Sequence, residues 1–392
     1  MQQYAALLML ALLALGLTLP TSLYASTSSD EEEEDEETNG GDSSTTEEGS
    51  IPPVPPAPSA PTPIAPPASS AEAGSGAAEV AVQKENAPLT VDQLMEKYGA
   101  NQTRITVPQN VLQDMGSKAV ILTFDDNWQS QHDYAMPILE RNGMNATFFV
   151  YCLGIGQGPG FMNTSEVIDL HNRGFDIQSH SMTHQDLMNA TEKQLQYEIA
   201  TSKQCLQDMV PGLNVTTFAT PYATGAENAT ILTEIEKAGY EMGRAGYGGS
   251  FFLGCDGWYV TDGNQTKGCE LFEQDGQKLK IQNRFNIPVS DINGLGRENN
   301  FSLPAVQQAF IKELNEAIGY DQSGKLNQVP VLVYHNFSNR VLPPDQMGQS
   351  LLAESFAQEM KYLHDNNFVV LSMADLKYNP GNATFTIPKL RQ

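Results

Sequence analysis

Short apolar strands alternate with amphipathic helices along this chain from about Val91 onwards. The apolar runs predict strands over 119–124, 147–151, 175–178, 216–219, 240–242, 329–334 and 368–371. Patterns of helical period predict helices over 131–141, 165–174, 191–209, 230–238, 304–318 and 355–366. Such alternation predicts a parallel sheet covered by helices. About seven such units would close into a barrel, and an open doubly wound sheet is the alternative.

One long stretch interrupts this alternation. Residues 251–282 are rich in Gly, Cys and polar residues, so we predict an insertion after the fifth strand that helps to shape a substrate groove.

Polar motifs stand at the ends of three predicted strands, where the active sites of α/β proteins lie. They read TFDD at 123–126, HSMTH at 180–184 and VLVYH at 331–335. Two carboxylates at the end of a buried strand, Asp125 and Asp126, favour a nearby cation. His180 and His184 are four residues apart, which places both imidazoles on one face of a helical turn or tight loop. With His335 available for proton transfer, the motifs predict a metal-dependent hydrolase.

Structural roles compete with each of these interpretations. Adjacent aspartates are common in surface turns, and paired histidines often serve only as hydrogen-bonding groups. The strand-end positions favour chemistry over these alternatives. Trp128 and Trp258 are candidates to stack on a sugar ring, although packing explains Trp258 equally well. The remaining histidines lie on predicted helices and receive no functional role; they are His132, His171 and His364.

The N-terminal part of the chain predicts export. Residues 1–25 contain an apolar block of the length found in secretory signal peptides. Lys and Arg are absent before Lys84, so an uncleaved N-terminal anchor is the alternative. Residues 26–90 are acidic and then Pro-rich, which predicts a disordered linker ahead of a catalytic domain over 91–392.

Charge and composition narrow the partners and the compartment. The formal net charge is −25, and eleven acidic residues lie within 26–50, so the remainder still carries −14. Such a chain repels nucleic acid and anionic membrane surfaces. Four cysteines allow two disulfides, and we favour a bridge between Cys255 and Cys269. Ten Asn-x-Ser/Thr triplets suit a glycosylated extracellular surface, although we expect Asn336 beside His335 to be unmodified.

Together the motifs resemble those of the polysaccharide deacetylases of the NodB-homology type, carbohydrate esterase family four. TFDD and HSMTH match the family's first two motifs, residues 218–222 stand where R-x-P-Y is expected, and Tyr334-His335 ends the last motif. The match spans roughly 117–375 in the right order. It implies a distorted (β/α) barrel and removal of acetyl groups, most often from N-acetylhexosamine polymers.

The resemblance also implies a role for each site residue. Asp126, His180 and His184 would bind a divalent metal, usually Zn²⁺. Asp125 would be the general base and His335 the general acid. The backbone N–H of Tyr222 would help to stabilise the oxyanion. The implied partner is an acetylated polysaccharide, bound by a monomer that is secreted or held at the cell surface.

Two departures from the family pattern leave other functions open. Ala219 stands where the family has the Arg that steadies the base, and Asn127 replaces a Gly. Arg244, Arg284 and Arg297 are candidates to fill the place of that Arg. Without a substitute, the chain would be a glycan-binding pseudoenzyme of the same fold. A metal-dependent amidase acting on a small molecule is the third hypothesis.

Overall fold

The computed structural model describes residues 88–99, 118–225, 228–247, 251–253, 260–261, 264–265, 270–274, 277–280, 284–320, 324–340, 350–380 and 384–390. The predicted signal segment and nearly all of the predicted linker lie outside these residues, as do Trp258, Cys255 and Cys269. In the described part of the chain, no helix is both long and apolar enough to cross a membrane.

Seven parallel strands form a closed barrel. They are β1 (Ala119–Asp125), β2 (Thr147–Val150), β3 (Asp176–Ser179), β4 (Thr217–Ala219), β5 (Met242–Tyr247), β11 (Ile287–Asp291) and β14 (Val331–Tyr334), in this order around the ring. The ring closes where β14 pairs with β1, in a register that places Ile121 opposite Val331. A further parallel strand, β17 (Val369–Leu371), pairs with the first residues of β1. The predicted distorted (β/α) barrel is therefore confirmed, and the open sheet is excluded.

Helices cover the outside of the barrel. They are α1 (Val91–Tyr98), α2 (Met136–Arg141), α3 (Thr164–Asn172), α4 (Glu192–Gln196), α5 (Ser202–Met209), α6 (Ala229–Lys237), α7 (Ile292–Glu298), α8 (Leu303–Ala317) and α9 (Ala353–Asp365). There are also two π-helical turns. Gln131–Ala135 directly precedes α2, and Tyr197–Thr201 connects α4 to α5. Single turns of 3-10 helix occur at Cys152–Gly154, Leu187–Asn189, Pro221–Ala223 and Met373–Asp375.

Both faces of the barrel strands are buried, which explains why their sequences are almost continuously apolar. In β1, Val120, Leu122 and Phe124 belong to the core cluster between barrel and helices. Ala119 and Ile121 belong to a second cluster, which fills the barrel. Asp125 continues the period-2 series of Ala119 and Ile121, so it points into the barrel at the carboxyl end of the strands.

The insertion after β5 is confirmed, and its contribution to a substrate groove stays a prediction. Its strands are β6 (Phe251–Phe252), β7 (Val260–Thr261), β8 (Asn264–Gln265), β9 (Glu270–Gln274) and β10 (Gln277–Lys280). β7 pairs with β8 and β9 pairs with β10, both antiparallel. Phe251 and Leu253 pack in the cluster that fills the barrel, alongside residues from the starts of its strands.

The structure differs from the predicted elements in three places. The strand predicted over 240–242 instead runs from Met242 to Tyr247, so it carries Arg244. β11 and α7 were not predicted. The strand predicted over 329–334 is broken at Pro330, which has no N–H to donate to a ladder. β13 (Leu326–Val329) before it pairs antiparallel with β12 (Gly319–Tyr320) and β6, whereas β14 after it joins the barrel.

The last described strands form two small sheets apart from the barrel. β15 (Asn336–Ser338) pairs with β16 (Ser350–Leu352) in parallel, directly after His335. β18 (Lys377–Asn379) pairs with β19 (Thr384–Thr386) in antiparallel.

Candidate metal and catalytic site

The predicted site residues meet at the carboxyl ends of the barrel strands. Asp125 is the last residue of β1, and Asp126 follows it with a φ of 74°. His180 comes directly after β3 and His335 directly after β14, while Tyr222 follows β4. These five residues, together with His184, line one cleft of about 270 Å³. The other side chains that line it are Trp128, Tyr151, Phe161 and Ala223.

Three of these side chains offer ligand atoms to a single point. Asp126 Oδ1 lies 3.0 Å from His184 Nε2 and 3.4 Å from His180 Nε2. All three ligand atoms lie within 4.8 Å of one another. Asp126 Oδ1 is buried but has no hydrogen-bond partner, so these atoms converge without forming hydrogen bonds. Two ligands bound tetrahedrally to Zn²⁺ lie about 3.3 Å apart, so the trio fits a divalent metal.

A backbone carbonyl fixes the orientation of the His180 ring. Its Nδ1 lies 2.9 Å from the carbonyl oxygen of Ala219, which can only accept, so Nδ1 carries the proton. This tautomer leaves Nε2 with a free lone pair toward Asp126. A backbone carbonyl that orients a histidine in this way is typical of metal sites.

The histidines lie on a tight loop and not on a helical turn. Ser181 and His184 have φ values of 76° and 63°, a conformation that helices exclude. The buried carboxylate of Glu198 holds this loop, because it accepts from Met182 N at 3.1 Å and from Thr183 N at 2.9 Å. Glu198 therefore positions the loop that separates the two histidines, which the sequence motifs did not reveal.

Charge in the site keeps Asp126 ionised. Burial raises the pKa of Asp126, but the adjacent imidazoles of His180 and His184 outweigh burial and hold that pKa well below its usual range. Burial lowers the pKa of His180, but the charges of Asp125 and Asp126 outweigh it and raise that pKa. The electrostatics of the pocket therefore favour a carboxylate surrounded by positive charge.

Arg244 occupies the place that Ala219 leaves empty. Its Nη2 donates to Asp125 Oδ2 at 2.5 Å, and both side chains are almost completely buried. Arg244 lies directly opposite Ala219 in the register between β5 and β4. The guanidinium therefore reaches Asp125 from the neighbouring strand. The other candidates bind elsewhere, since Arg284 pairs with Glu236 and Arg297 with Asp291.

His335 lies beside residues of β11 and α7. Its backbone N–H donates to Asn293 Oδ1 at 2.9 Å, and its carbonyl accepts from Gln131 Nε2 at 3.1 Å. Its Nδ1 lies 4.0 Å from Asp291 Oδ1. Neither of these two atoms has a hydrogen-bond partner, so Asp291 is a further acidic group beside the imidazole. The sequence did not predict β11, and Asp291 was missed with it.

Aromatic rings line the cleft on both sides of the histidines. The ring of Tyr222 lies 4.7 Å from that of His184, and 55% of the residue is exposed. Tyr222 has a φ of 59°, a rare conformation for a large side chain. On the other side Trp128 stacks on Phe161, with 5.0 Å between ring centroids. Trp128 therefore does border the site, as expected of a residue that could stack on a sugar.

The histidines that received no role lie outside the cleft. His132 contacts Asp169, and His364 contacts Asp365 on the surface of α9. Asn336 uses its amide nitrogen to donate to Ser350 Oγ at 3.0 Å, and its modification state stays a prediction. A disulfide joins Cys152 to Cys205, and it links the segment after β2 to α5.

Comparison with known proteins finds similarity over part of the chain. Residues 113–243 match the model of the polysaccharide deacetylase family. Over 126 residues the chain is 32% identical to the Bacillus subtilis protein named "Putative polysaccharide deacetylase YxkH". The matched stretch is 32% of this chain and 44% of that protein. Over 120 residues it is 29% identical to the bifunctional xylanase/deacetylase of Pseudobutyrivibrio xylanivorans. This second stretch is 30% of this chain and 19% of that protein. The matches thus span less than half the length of these relatives.

Solved structures also resemble the chain, at low identity. A family 4 carbohydrate esterase from Streptomyces lividans in complex with acetate is 18% identical, with a TM-score of 0.40, covering 70% of this chain and all of that one. The peptidoglycan deacetylase PdaC from Bacillus subtilis is 13% identical, with a TM-score of 0.40, covering 68% of this chain and 91% of that one. The region that matches the family model, residues 113–243, contains the first two motifs and Tyr222, so this part of the chain is similar to the polysaccharide deacetylases.

Proposed function

We propose that the protein is a metal-dependent hydrolase that removes N-linked acetyl groups from a polysaccharide. The observation that carries this proposal is the convergence of Asp126, His180 and His184 beside Asp125 and His335 in one cleft. A divalent ion held by the first three, with Zn²⁺ the best fit, would polarise the acetyl carbonyl and make water more acidic.

Asp125 is suited to act as the general base. Its Oδ2 is occupied by Arg244, whereas its Oδ1 has no hydrogen-bond partner. The free oxygen can take the proton of the attacking water while the guanidinium holds the carboxylate in place. Arg244 thus supplies the guanidinium that Ala219 lacks. Its presence favours an active enzyme over a glycan-binding pseudoenzyme.

His335 is suited to protonate the departing amine as the carbon–nitrogen bond breaks. Its backbone is held by Asn293 and Gln131, so the imidazole is presented to the cleft from a fixed position. Asp291 near Nδ1 would stabilise the imidazolium form. The backbone N–H of Tyr222 is our candidate for the oxyanion donor.

We also propose that the protein acts outside the cytoplasm, as a secreted or surface-held monomer. The Cys152–Cys205 disulfide supports this location, since disulfides persist in oxidising compartments. An acetylated polysaccharide is the expected partner, and the acidic charge argues against nucleic acid. The predicted signal peptide, with an uncleaved anchor as its alternative, belongs to the same proposal.

Acetate release provides the test. Purified protein loaded with Zn²⁺ should release acetate from N-acetylhexosamine oligomers, and less from O-acetylated xylan. Asp125→Asn and His335→Gln should each lower the rate by about 10²–10⁴-fold. The matched controls Asp208→Asn, on the exposed surface of α5, and His364→Gln, on α9, should behave as wild type. Zinc binding without acetate release from any glycan, with Asp125→Asn identical to wild type, would refute the proposal in favour of a binding module.

A further inference from the structure

The indole of Trp128 contacts the carboxylate of the candidate metal ligand Asp126. Its Nε1–H donates to Asp126 Oδ2 at 3.2 Å. The other carboxylate oxygen, Oδ1, is the one that faces His180 and His184. The two oxygens of Asp126 therefore have separate partners, and only one of them faces the point where the histidines converge.

The backbone around Trp128 fixes this contact. Asn127 is held in the left-handed region, with a φ of 45°, and turns the chain sharply after Asp126. Gln129 N then donates to Gly160 O at 2.8 Å, and Met162 N donates to Asn127 O at 2.9 Å. These bonds join the segment of Trp128 to the loop that carries Phe161.

The side chain is fixed as firmly as the backbone. The indole stacks on Phe161 with an angle of 22° between the ring planes. A stacked ring in a bridged segment loses little conformational freedom when it donates its hydrogen bond. The stacking and the bridged backbone therefore hold the indole in the donating position.

We propose that Trp128 is a positioning residue that holds Asp126 as a one-oxygen metal ligand. This inference rests on the proposed metal site. The indole is only a donor, so it satisfies Oδ2 without competing for the cation. An Asp carboxylate without such a partner can rotate, or can bring both oxygens to the metal. Groups that orient a ligand in this way typically contribute 10–100-fold to metal affinity.

Two substitutions separate the hydrogen bond from the stacking. Trp128→Phe keeps an aromatic ring against Phe161 and removes the N–H donor. Phe161→Leu removes the stacking and keeps the donor. Competition of the metal-free protein with a chromophoric chelator for Zn²⁺ should show about 10–100-fold weaker binding for Trp128→Phe. Phe161→Leu should weaken Zn²⁺ binding less than Trp128→Phe does, because it keeps the donor to Asp126 and removes only the stacking that helps to hold the indole.

A second replacement at position 128 serves as the control for a folding defect in Trp128→Phe. Benzothienylalanine at position 128 has the shape of tryptophan but carries sulfur in place of the N–H. It should weaken Zn²⁺ binding as much as Trp128→Phe while its thermal unfolding matches wild type. Wild-type Zn²⁺ affinity in the benzothienylalanine protein would overturn the proposal, whatever the Phe variant does.

The Zn²⁺ titration is independent of the acetate assay. A wild-type protein that binds Zn²⁺ but releases no acetate would refute the proposed activity and leave the role of Trp128 standing. Equal Zn²⁺ affinities in an active enzyme would refute only the role of Trp128. A wild-type protein that binds no Zn²⁺ would refute both.

Discussion

Asp125 and Arg244 form a buried ion pair that no single motif contains. They are 119 residues apart in sequence, and each lies on the interior side of its strand. Arg244 follows Met242 by two positions, and Met242 belongs to the cluster that fills the barrel. The guanidinium also lies 4.8 Å from the ring centroid of Phe149, which shields it from water. A low-dielectric site of this kind makes the pair depend on both partners.

Replacing Arg244 by Met should therefore cost about 3–5 kcal/mol of unfolding free energy, because Asp125 is left buried without a counter-charge. Acetate release should fall by about 10²-fold as the base loses its fixed position. Urea unfolding and the acetate assay measure the two effects. The control Arg284→Met breaks the more exposed pair with Glu236 and should cost about 1 kcal/mol or less. Adding Asp125→Asn to Arg244→Met should restore part of the stability, and no restoration would contradict the pairing.

The loop of the two histidines is held between two secondary-structure elements. Cys152 N donates to Ser181 O at 3.1 Å and Leu153 N to Met182 O at 2.9 Å, so the 3-10 turn after β2 supports one side. Glu198, on the π-helical turn between α4 and α5, binds the other side. The Cys152–Cys205 disulfide joins this 3-10 turn to α5, which directly follows the π-helical turn. The histidine positions therefore depend on how the elements are fastened together.

Glu198→Gln should loosen the loop, because an amide has one acceptor oxygen where the carboxylate uses two. Zn²⁺ affinity, measured by chelator competition, should fall about tenfold. Glu192→Gln is the matched control, since Glu192 lies exposed in the first turn of α4. Equal Zn²⁺ affinity in the two variants would contradict the role given to Glu198.

Removing the disulfide should destabilise the whole domain. Its cysteines are 53 residues apart, and a closed loop of that length corresponds to about 4 kcal/mol in the chain-entropy account. The double variant Cys152→Ser/Cys205→Ser should show this loss in urea unfolding, with the other two cysteines left intact. A loss of less than about 1 kcal/mol would mean that packing alone holds the two supports.

The barrel in the described part of the chain has a polar end and an apolar end. The site residues lie at the carboxyl ends of the strands, and apolar side chains such as Phe251 and Phe385 pack where the strands begin. β14 closes the ring between β11 and β1. Its last residue, Tyr334, donates to Glu359 Oε2 at 2.9 Å, which ties the closing strand to α9.

Glu359 should make the stability of this ring depend on pH. Burial raises the pKa of Glu359 from 4.5 to about 8, against the opposing effect of the hydrogen bond from Tyr334. Because the folded-state pKa is the higher one, its stabilising contribution is complete below about pH 4.5 and is lost as the pH rises through about 8. The loss over this window is up to about 5 kcal/mol. Urea unfolding across the window should be less pH-dependent in Glu359→Gln, and an unchanged slope would contradict the assignment.

Local patterns in the sequence predicted most of the elements, because strand and helix periods are properties of neighbouring residues. All the predicted helices form, and six of the seven predicted strands contribute to the barrel in the expected order, whereas the seventh, β17, pairs with β1 outside the ring. β11 was missed because its residues, Ile287 to Asp291, directly follow the irregular insertion. The break at Pro330 was overlooked because the apolar run continues through it.

The sequence by itself determined the barrel, the three candidate metal ligands and the candidate base and acid. Each of these stands at the end of an apolar run, and the ends of parallel strands must meet. Only the tertiary structure decided which Arg serves Asp125, which acid neighbours His335 and what holds Asp126. Arg244 and Asp291 come from other strands that lie far along the chain, so no local pattern identifies them, whereas Trp128 is brought to Asp126 by the turn at Asn127. Closure of the ring brings Arg244 to Asp125 and Asp291 to His335, because it fixes which strands are neighbours.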